Sequence, residues 1–546
     1  MIDRDFVVVG ATVMDGSGAP GYIADVEIRD GTIAGIGVNP PRRPGHPAVS
    51  AHGLVLAPGF IDMHAHSDLV FINGSDHLSK LSQGVTTEVV GQDGLSYAPT
   101  STAMRSALTA QIGGWNDQGA AASIGWSTVA EYRSAVRMFA SPTNLVFLVP
   151  HGNLRWMVVG GRRQQATAAQ LADMTTLLEE GLDAGAAGMS AGLTYTPGAF
   201  ADTDELVALC RVVAAYDGFY APHVRSYGLG AMSAYREAIG VAEKAGCALH
   251  LTHAHLSFDE NRGRHRELLA MIDAARTRGV DITLDSYPYT AGSTTLHSLL
   301  PLDLIAQGMP TVLNALLDPI SGARIRRQLE EEGTDGAHGL PVDWSTVRIT
   351  ATQQPHLQHH IGRSVAEIAH LTKTDSFTIF RTLITHDAGK TTMTHHVGSE
   401  SDVQAVMKHP THMAGSDGIL AGQQPHPRGW GTFPRYLGRY TRELNVLDNL
   451  PSALTHLTSR AADRLRLRDR GRIAVGLAAD LVLLDPATVK DTATFENPRQ
   501  PAIGIHHVWV NGALAYTTHG TTGARAGHWL QPHPQSTRPL DNGETL

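Results

Sequence analysis

The sequence predicts an α/β protein built on a (β/α)8 TIM barrel, and three observations carry that prediction. Eight short apolar runs alternate with helix-length segments through the middle of the 546-residue chain. Polar side chains crowd the carboxyl ends of those runs. The two chain ends have a different texture and read as β hairpins.

Taken in order, residues 24–37, "ADVEIRDGTIAGIG", alternate apolar and polar on both sides of Asp30-Gly31. That is a period-2 hairpin with a tight turn. The runs follow: 60–66 "FIDMHAH", 85–93 "VTTEVVGQD", 144–151 "NLVFLVPH", 187–193 "AGMSAGL", 219–224 "FYAPHV", 248–254 "ALHLTHA", 281–289 "DITLDSYPY" and 412–417 "HMAGSD". Helix-like stretches separate most of them, such as 167–184 "TAAQLADMTTLLEEGLDA" and 264–278 "RHRELLAMIDAARTR". Eight such alternations are the signature of a (β/α)8 barrel. The gap from about 290 to 411 exceeds a simple crossover and predicts an inserted helical piece, including 375–386 "DSFTIFRTLITH". Late in the chain, 471–486 and 504–516 return to β texture, with a second hairpin turn at Asn511-Gly512. The expected division is a β subdomain from 1–57 and 460–530, a barrel over 58–459 with its insertion at about 296–400, and a polar, Pro-rich tail at 531–546.

Composition narrows the function classes. Apolar residues make up 42% and charged residues 17%, as in an ordinary globular protein, and the net charge is −9. Nucleic acid is not an expected partner, because a binding face needs clustered Lys and Arg. No apolar run approaches the roughly 18 residues that span a bilayer, and no basic-then-apolar leader opens the chain. Two cysteines, Cys210 and Cys247, sit in no CxxC pair. A cytoplasmic location is the expectation.

The chemistry lies at the run ends. Run one closes on His64-Ala65-His66, and residues i and i+2 of a strand point to one side. Run two ends in Asp93, run five in His223, run six in His253 and run eight in Asp417. A lone strand-end histidine is usually a satisfied core residue, and Asp93-Gly94 is by itself a turn signal. Four His and two Asp at one end of five barrel strands instead form a nitrogen and oxygen donor set suited to Zn²⁺ or a similar divalent ion.

These residues resemble a known family. "PGFIDMHAHSD" (58–68) is similar to the first-strand signature of the metal-dependent amidohydrolase superfamily. "LVPHGNLR" (148–155), "GMSAGLTYTPGAFADTDEL" (188–206), "YAPHVRSYG" (220–228), "DSYPYTAGSTTL" (285–296), "GSDGILAGQQPHPRGWGTFPRYLGRY" (415–440) and the block at 479–512 narrow the resemblance to the N-acyl-D-amino-acid deacylases. It spans roughly residues 5–530. It implies a distorted (β/α)8 TIM barrel with a small β-sandwich subdomain formed by both chain ends. It implies one or two divalent ions held by His64, His66, His223, His253 and Asp417, with Zn²⁺ expected and Mn²⁺, Co²⁺ or Fe²⁺ as alternatives.

The chain departs from that family at defined points. Many superfamily members bridge two metals with a carbamylated Lys or a Glu after strand four, and run four has neither. Family deacylases bridge with a Cys in a "GNCG" turn after strand two. Here the turn is "GQDG", so Asp93 stands where the thiolate is expected. A carboxylate is a harder ligand and discriminates less against Mn²⁺, Co²⁺ or Fe²⁺. The alternatives are a two-metal site and one metal at His223, His253 and Asp93 with the other position half-occupied.

The resemblance makes Asp417 the candidate general base, taking a proton from the attacking water and delivering it to the leaving nitrogen. It assigns the substrate's α-carboxylate to Arg428, Tyr287 and Ser293. An Arg fork is the natural reader of a carboxylate. The family's Lys two residues after the strand-six His is His255 here, which removes one fixed charge. The family's acid four residues after the strand-five His is Tyr227 here, and His151 is expected to order the strand-three loop.

The expected function is deacylation of N-acyl-D-amino acids, with a small carboxylate-bearing amide as partner and a monomer or homo-oligomer as the assembly. The alternatives are hydrolysis of a cyclic amide or imide, a carbamoyl compound, or a D-residue dipeptide or natural-product amide. A non-catalytic amidohydrolase-derived scaffold is the reading from another class. Such proteins typically lose metal ligands, and all five non-bridging positions are intact here.

Overall fold

The structure is a computed structural model and describes residues 4–38, 46–72, 74–116 and 124–533. Most of the expected tail, from residue 534 onward, lies outside the described residues.

Eight parallel strands close into a barrel. In chain order they are Phe60–Asp62, Val85–Val90, Asn144–Phe147 continued by Val149–Pro150, Gly188–Gly192, Phe219–His223, Ala248–Leu251, Ile282–Ser286 and His412–Ala414. Each pairs in parallel with its neighbour. The eighth strand returns to the first: Met63 N donates to Ala414 O at 3.1 Å and Asp417 N donates to His64 O at 2.8 Å. These strands read as continuous apolar runs because both their faces are covered. All six residues of Val85–Val90 are buried.

The crossover helices start where cap chemistry puts them. Ala168–Asp183 begins after Thr167, whose side chain accepts from Gln170 N while Gln170 answers to Thr167 N. That capping box satisfies two otherwise unpaired helix donors. Ser376–His386 is capped by Asp375. Between the seventh and eighth barrel strands the chain forms its own unit. A three-stranded antiparallel sheet of Gly292–Thr295, Val347–Ala351 and Thr392–His395 carries several helices and a separate core that includes Val312, Trp344, Phe380 and Leu383.

The two chain ends share one sheet of nine strands among the described residues. Its halves join where Val55–Pro58 pairs antiparallel with Leu481–Leu484. The sheet curls over its inner face. Phe6 stacks on Trp509 with ring centroids 5.1 Å apart, although two strands lie between theirs in hydrogen-bonding order. The two predicted hairpin turns meet. Asp30 and Gly31 have φ of 49° and 76°, and Asn511 and Gly512 have 48° and 76°. A Cβ on Gly31 would stand 2.4 Å from Asn511 O, so only glycine permits this approach. Among the described residues no helix is long and apolar enough to cross a membrane.

Candidate metal centre

The six strand-end residues converge at the carboxyl mouth of the barrel, all at least nine-tenths buried. Donor atoms of His64, His66, Asp93 and Asp417 lie within 4.8 Å of one another, as do those of Asp93, His223 and His253. Asp93 belongs to both groups. Its Oδ1 is 3.2 Å from His253 Nε2 and 3.5 Å from His64 Nε2, and its Oδ2 is 3.5 Å from both His66 Nε2 and His223 Nδ1.

The backbone is bent to achieve this. Asp93, His253 and Asp417 have φ of 54°, 30° and 48°. Positive φ is uncommon outside glycine, and it clusters at sites where surrounding structure holds the strain. The turn after strand two also needs Gly94: its φ is +68°, and a Cβ there would meet Gly192 N at 2.4 Å. A Cβ on Gly192 would likewise stand 2.0 Å from Asp93 O. Strand four therefore ends on backbone packed against the Asp93 turn, which leaves no room for a ligand at Gly192.

Asp285, at the end of strand seven, is a site residue that the sequence reading passed over. Its Oδ1 accepts from His253 N at 2.9 Å, its Oδ2 is 2.9 Å from His250 Nε2, and Oδ2 lies 4.0 Å from His64 Nδ1. It lies in the middle of the seventh run, 281–289, where no run-end position marked it. Tyr227 stands where the resemblance expects an acid and holds the His253 ring in place: its hydroxyl is 2.9 Å from His253 Nδ1 and accepts from Val224 N at 3.2 Å. Thr194 Oγ1 does the same at 2.8 Å from His223 Nε2. Below the centre, buried Lys80 bonds Asp62 and Ser416, and Asp62 accepts from His64 N at 3.2 Å and Ser416 N at 2.8 Å. His151 lies apart from the cluster, 2.8 Å from Glu205 Oε1.

The electrostatics fit a cation. Burial opposes ionisation of Asp93, but His64, His253 and His223 outweigh it and hold the carboxyl well below its usual range. Asp417 is also lowered, with burial overcome by Arg428, His64 and His66. Burial disfavours a charged His66, yet its bonds to Asp417 and Asp93 raise it to about 9. A proton there is what a cation displaces, since metal ligands bind deprotonated. The sharpest sign is His64: it is fully buried, and neither ring nitrogen has a hydrogen-bond partner. Buried polar atoms are normally paired. An unpaired imidazole facing two ionised carboxylates is a ligand in form.

Arg428, Tyr287, Ser293 and His255 line the same cavity as His66, Asp93 and Asp417. Arg428 is fully buried, with Nη1 2.9 Å from Asp417 Oδ2 in an ion pair that lacks hydrogen-bond alignment. Its guanidinium carbon sits 4.4 Å from the Tyr287 ring centroid. His255 stacks on Tyr287 at 4.2 Å and falls in neither donor group. Ser293 Oγ donates to Met393 O at 3.1 Å.

The family described as "Amidohydrolase family" matches residues 48–516. A D-aminoacylase of Alcaligenes xylosoxydans xylosoxydans is 35% identical over 526 residues, covering 96% of this chain and 97% of that protein. An N-acyl-D-glutamate deacylase of the same organism is 36% identical over 512 residues, covering 94% and 93%. Among solved structures, N-acyl-D-glutamate deacylase from Bordetella bronchiseptica, complexed with zinc and a phosphonate inhibitor that mimics the tetrahedral intermediate, superposes with a TM-score of 0.82. It is 33% identical, and the match covers 96% of this chain and 99% of that one. The chain belongs to the amidohydrolase family, in the branch that holds the N-acyl-D-amino-acid deacylases.

Proposed function

We propose that this protein is a metal-dependent hydrolase that deacylates N-acyl-D-amino acids, releasing a carboxylate and the free D-amino acid. One observation carries the reading: Asp93 joins two metal-type donor groups in the cavity that also holds the unsatisfied guanidinium of Arg428. The similarity to proteins named D-aminoacylase and N-acyl-D-glutamate deacylase supports it.

His64, His66, Asp93 and Asp417 would hold one divalent ion, and Asp93, His223 and His253 a second, with Zn²⁺ the ion present in the similar deacylase structure. A bound ion of this kind acidifies water and polarises an amide carbonyl. The chain's own residues do the rest. Arg428 takes the substrate's α-carboxylate, with the Tyr287 ring packed 4.4 Å from its guanidinium carbon. Asp417 turns Oδ1 toward the cluster and Oδ2 toward Arg428. Its Oδ1 receives the proton of the attacking water and passes it to the departing nitrogen. A substrate carboxylate on Arg428 draws part of the guanidinium field away from Asp417. That raises the proton affinity of Asp417 only when substrate is in place.

Metal analysis of the purified protein, followed by N-acetyl-D- and N-acetyl-L-amino acids, hydantoins and dipeptides as substrates, tests this. Bound divalent metal and turnover of the N-acetyl-D series are expected. Hydrolysis of only cyclic amides or dipeptides, or no metal after expression with supplement, would overturn it.

A further inference from the structure

Residues 460–472, "RAADRLRLRDRGR", hold six arginines against two aspartates, and the deacylase reading uses none of them. In the fold, Arg460, Arg464 and Arg466 line one cavity of about 570 Å³. Its other wall is the amino end of the barrel, where Phe219, Ala248, Asp281 and Thr411 mark the starts of strands five to eight. The metal-type donors stand at the opposite, carboxyl end of the same strands.

Pairing the charges around this cavity leaves a positive excess. Arg464 is fully engaged. It holds Asp281 through Nη1 at 2.9 Å and Nη2 at 2.6 Å, and its Nε donates to Thr283 Oγ1 at 2.8 Å. Asp463 accepts from both Nη atoms of Arg472 at 2.8 Å. Among the described residues the remaining acid of the lining is Asp217, 3.4 Å from Arg466 Nη1. That nitrogen is buried and makes no hydrogen bond.

Arg460 enters no ion pair among the described residues. Its Nη1 donates to His412 O at 3.0 Å and to His456 Nδ1 at 3.3 Å. Burial, with Arg460 itself beside it, holds His456 down to about 3, and burial with the neighbouring cations holds His412 well below its usual value. Both rings are neutral, so no opposite charge offsets the burial of Arg460, which that burial pulls down to about 10. A charge withdrawn from water is normally paired. The side of the guanidinium left for a partner is the cavity.

We infer that this cavity is a second ligand site, which takes a small oxyanion of the phosphate class through Arg460 and Arg466. The planar guanidinium fork matches phosphate oxygens. Two forks on one cavity suit a tetrahedral dianion, which offers oxygens on several sides, better than a planar carboxylate. An occupant here meets neither Asp417 nor Arg428, and the inference does not depend on the deacylase activity.

Isothermal titration calorimetry on the full-length, metal-replete protein tests it, with inorganic phosphate as the probe and acetate in parallel. A saturating phosphate site is expected, with acetate weaker. Phosphate can also meet a metal ion at the barrel mouth, so variants locate it. Arg460→Gln and Arg466→Gln should each weaken phosphate by about tenfold or more, the loss of one charge-assisted contact. Arg428→Ala, at the distant mouth, should change this site by less than about twofold. Circular dichroism and metal content matching the unmodified protein qualify each variant, and if one arginine variant fails to fold the other decides. Absence of saturable phosphate binding overturns the site. So does binding that survives Arg460→Gln or Arg466→Gln in the folded protein, or that is lost in Arg428→Ala. Acetate binding as tight as phosphate overturns the assigned ligand class.

Discussion

Arg428 Nη1 stands 2.9 Å from Asp417 Oδ2, both side chains buried, with the guanidinium carbon 4.4 Å from the Tyr287 ring centroid. The cation proposed to bind the substrate thus already restrains the carboxylate proposed to move the proton. Arg428→Ala removes both actions, and truncating one member of a buried charge pair costs about 2–5 kcal/mol. The expected result is a fall of about 100-fold or more in kcat/KM for N-acyl-amino acids. Simple amides without a carboxylate should lose much less. Steady-state kinetics on both substrate types checks this, and equal losses would remove Arg428 from carboxylate recognition.

Asp93 is the one residue common to both donor groups. Asp93→Ala should lower the metal content by at least one ion per chain relative to the unmodified protein at matched free metal. Asp93→Cys restores a shared ligand but a softer one, and should shift preference from Mn²⁺ toward Zn²⁺. Elemental analysis after dialysis against defined metal buffers reads both. Full metal content in Asp93→Ala would rule out a bridging role.

Asp285 ties His250 to the backbone of His253, whose φ of 30° is the most strained in the cluster. Asp285→Asn keeps the shape but weakens both bonds. Loss of such a supporting partner typically lowers metal affinity about 10- to 100-fold. Competition with a chromophoric chelator measures it without reference to activity. Unchanged affinity would reduce Asp285 to a core residue.

Glu205 is a pH probe away from the centre. Burial raises it, but His151 and Arg155 win and hold it below its usual value in the folded state. A depressed folded pKa stabilises the fold above the unfolded value of about 4.3. That contribution is lost as pH falls below it. The urea midpoint should therefore be lower at a pH taken below about 4.3 than at pH 7. Glu205→Gln should be less stable at pH 7 and should narrow that difference. An identical pH slope in the variant would show that the pair does not couple to folding.

Much of this architecture was legible in the chain. Each of the eight barrel strands lies within a predicted run, because a strand buried on both faces must be apolar and short. The turns at Asp30-Gly31 and Asn511-Gly512 were equally clear, since few other dipeptides adopt two consecutive positive φ angles. His64 and His66 announced themselves through the i, i+2 spacing of a strand. Asp285 did not, because a carboxylate in an apolar run looks the same whether it faces a cluster or a neighbouring backbone amide. Tyr227 read only as a missing acid, and its bond to His253 Nδ1 exists only once two loops are brought together.

By itself the sequence determined which elements form and which donor types end each strand, because both follow from local periodicity and residue chemistry. Only the closed barrel decided that Asp93 faces both donor groups and that Arg428 pairs with Asp417. Those relationships join residues from 11 to more than 300 positions apart. Ring closure fixes them, because parallel strands in register bring every carboxyl end to the same mouth.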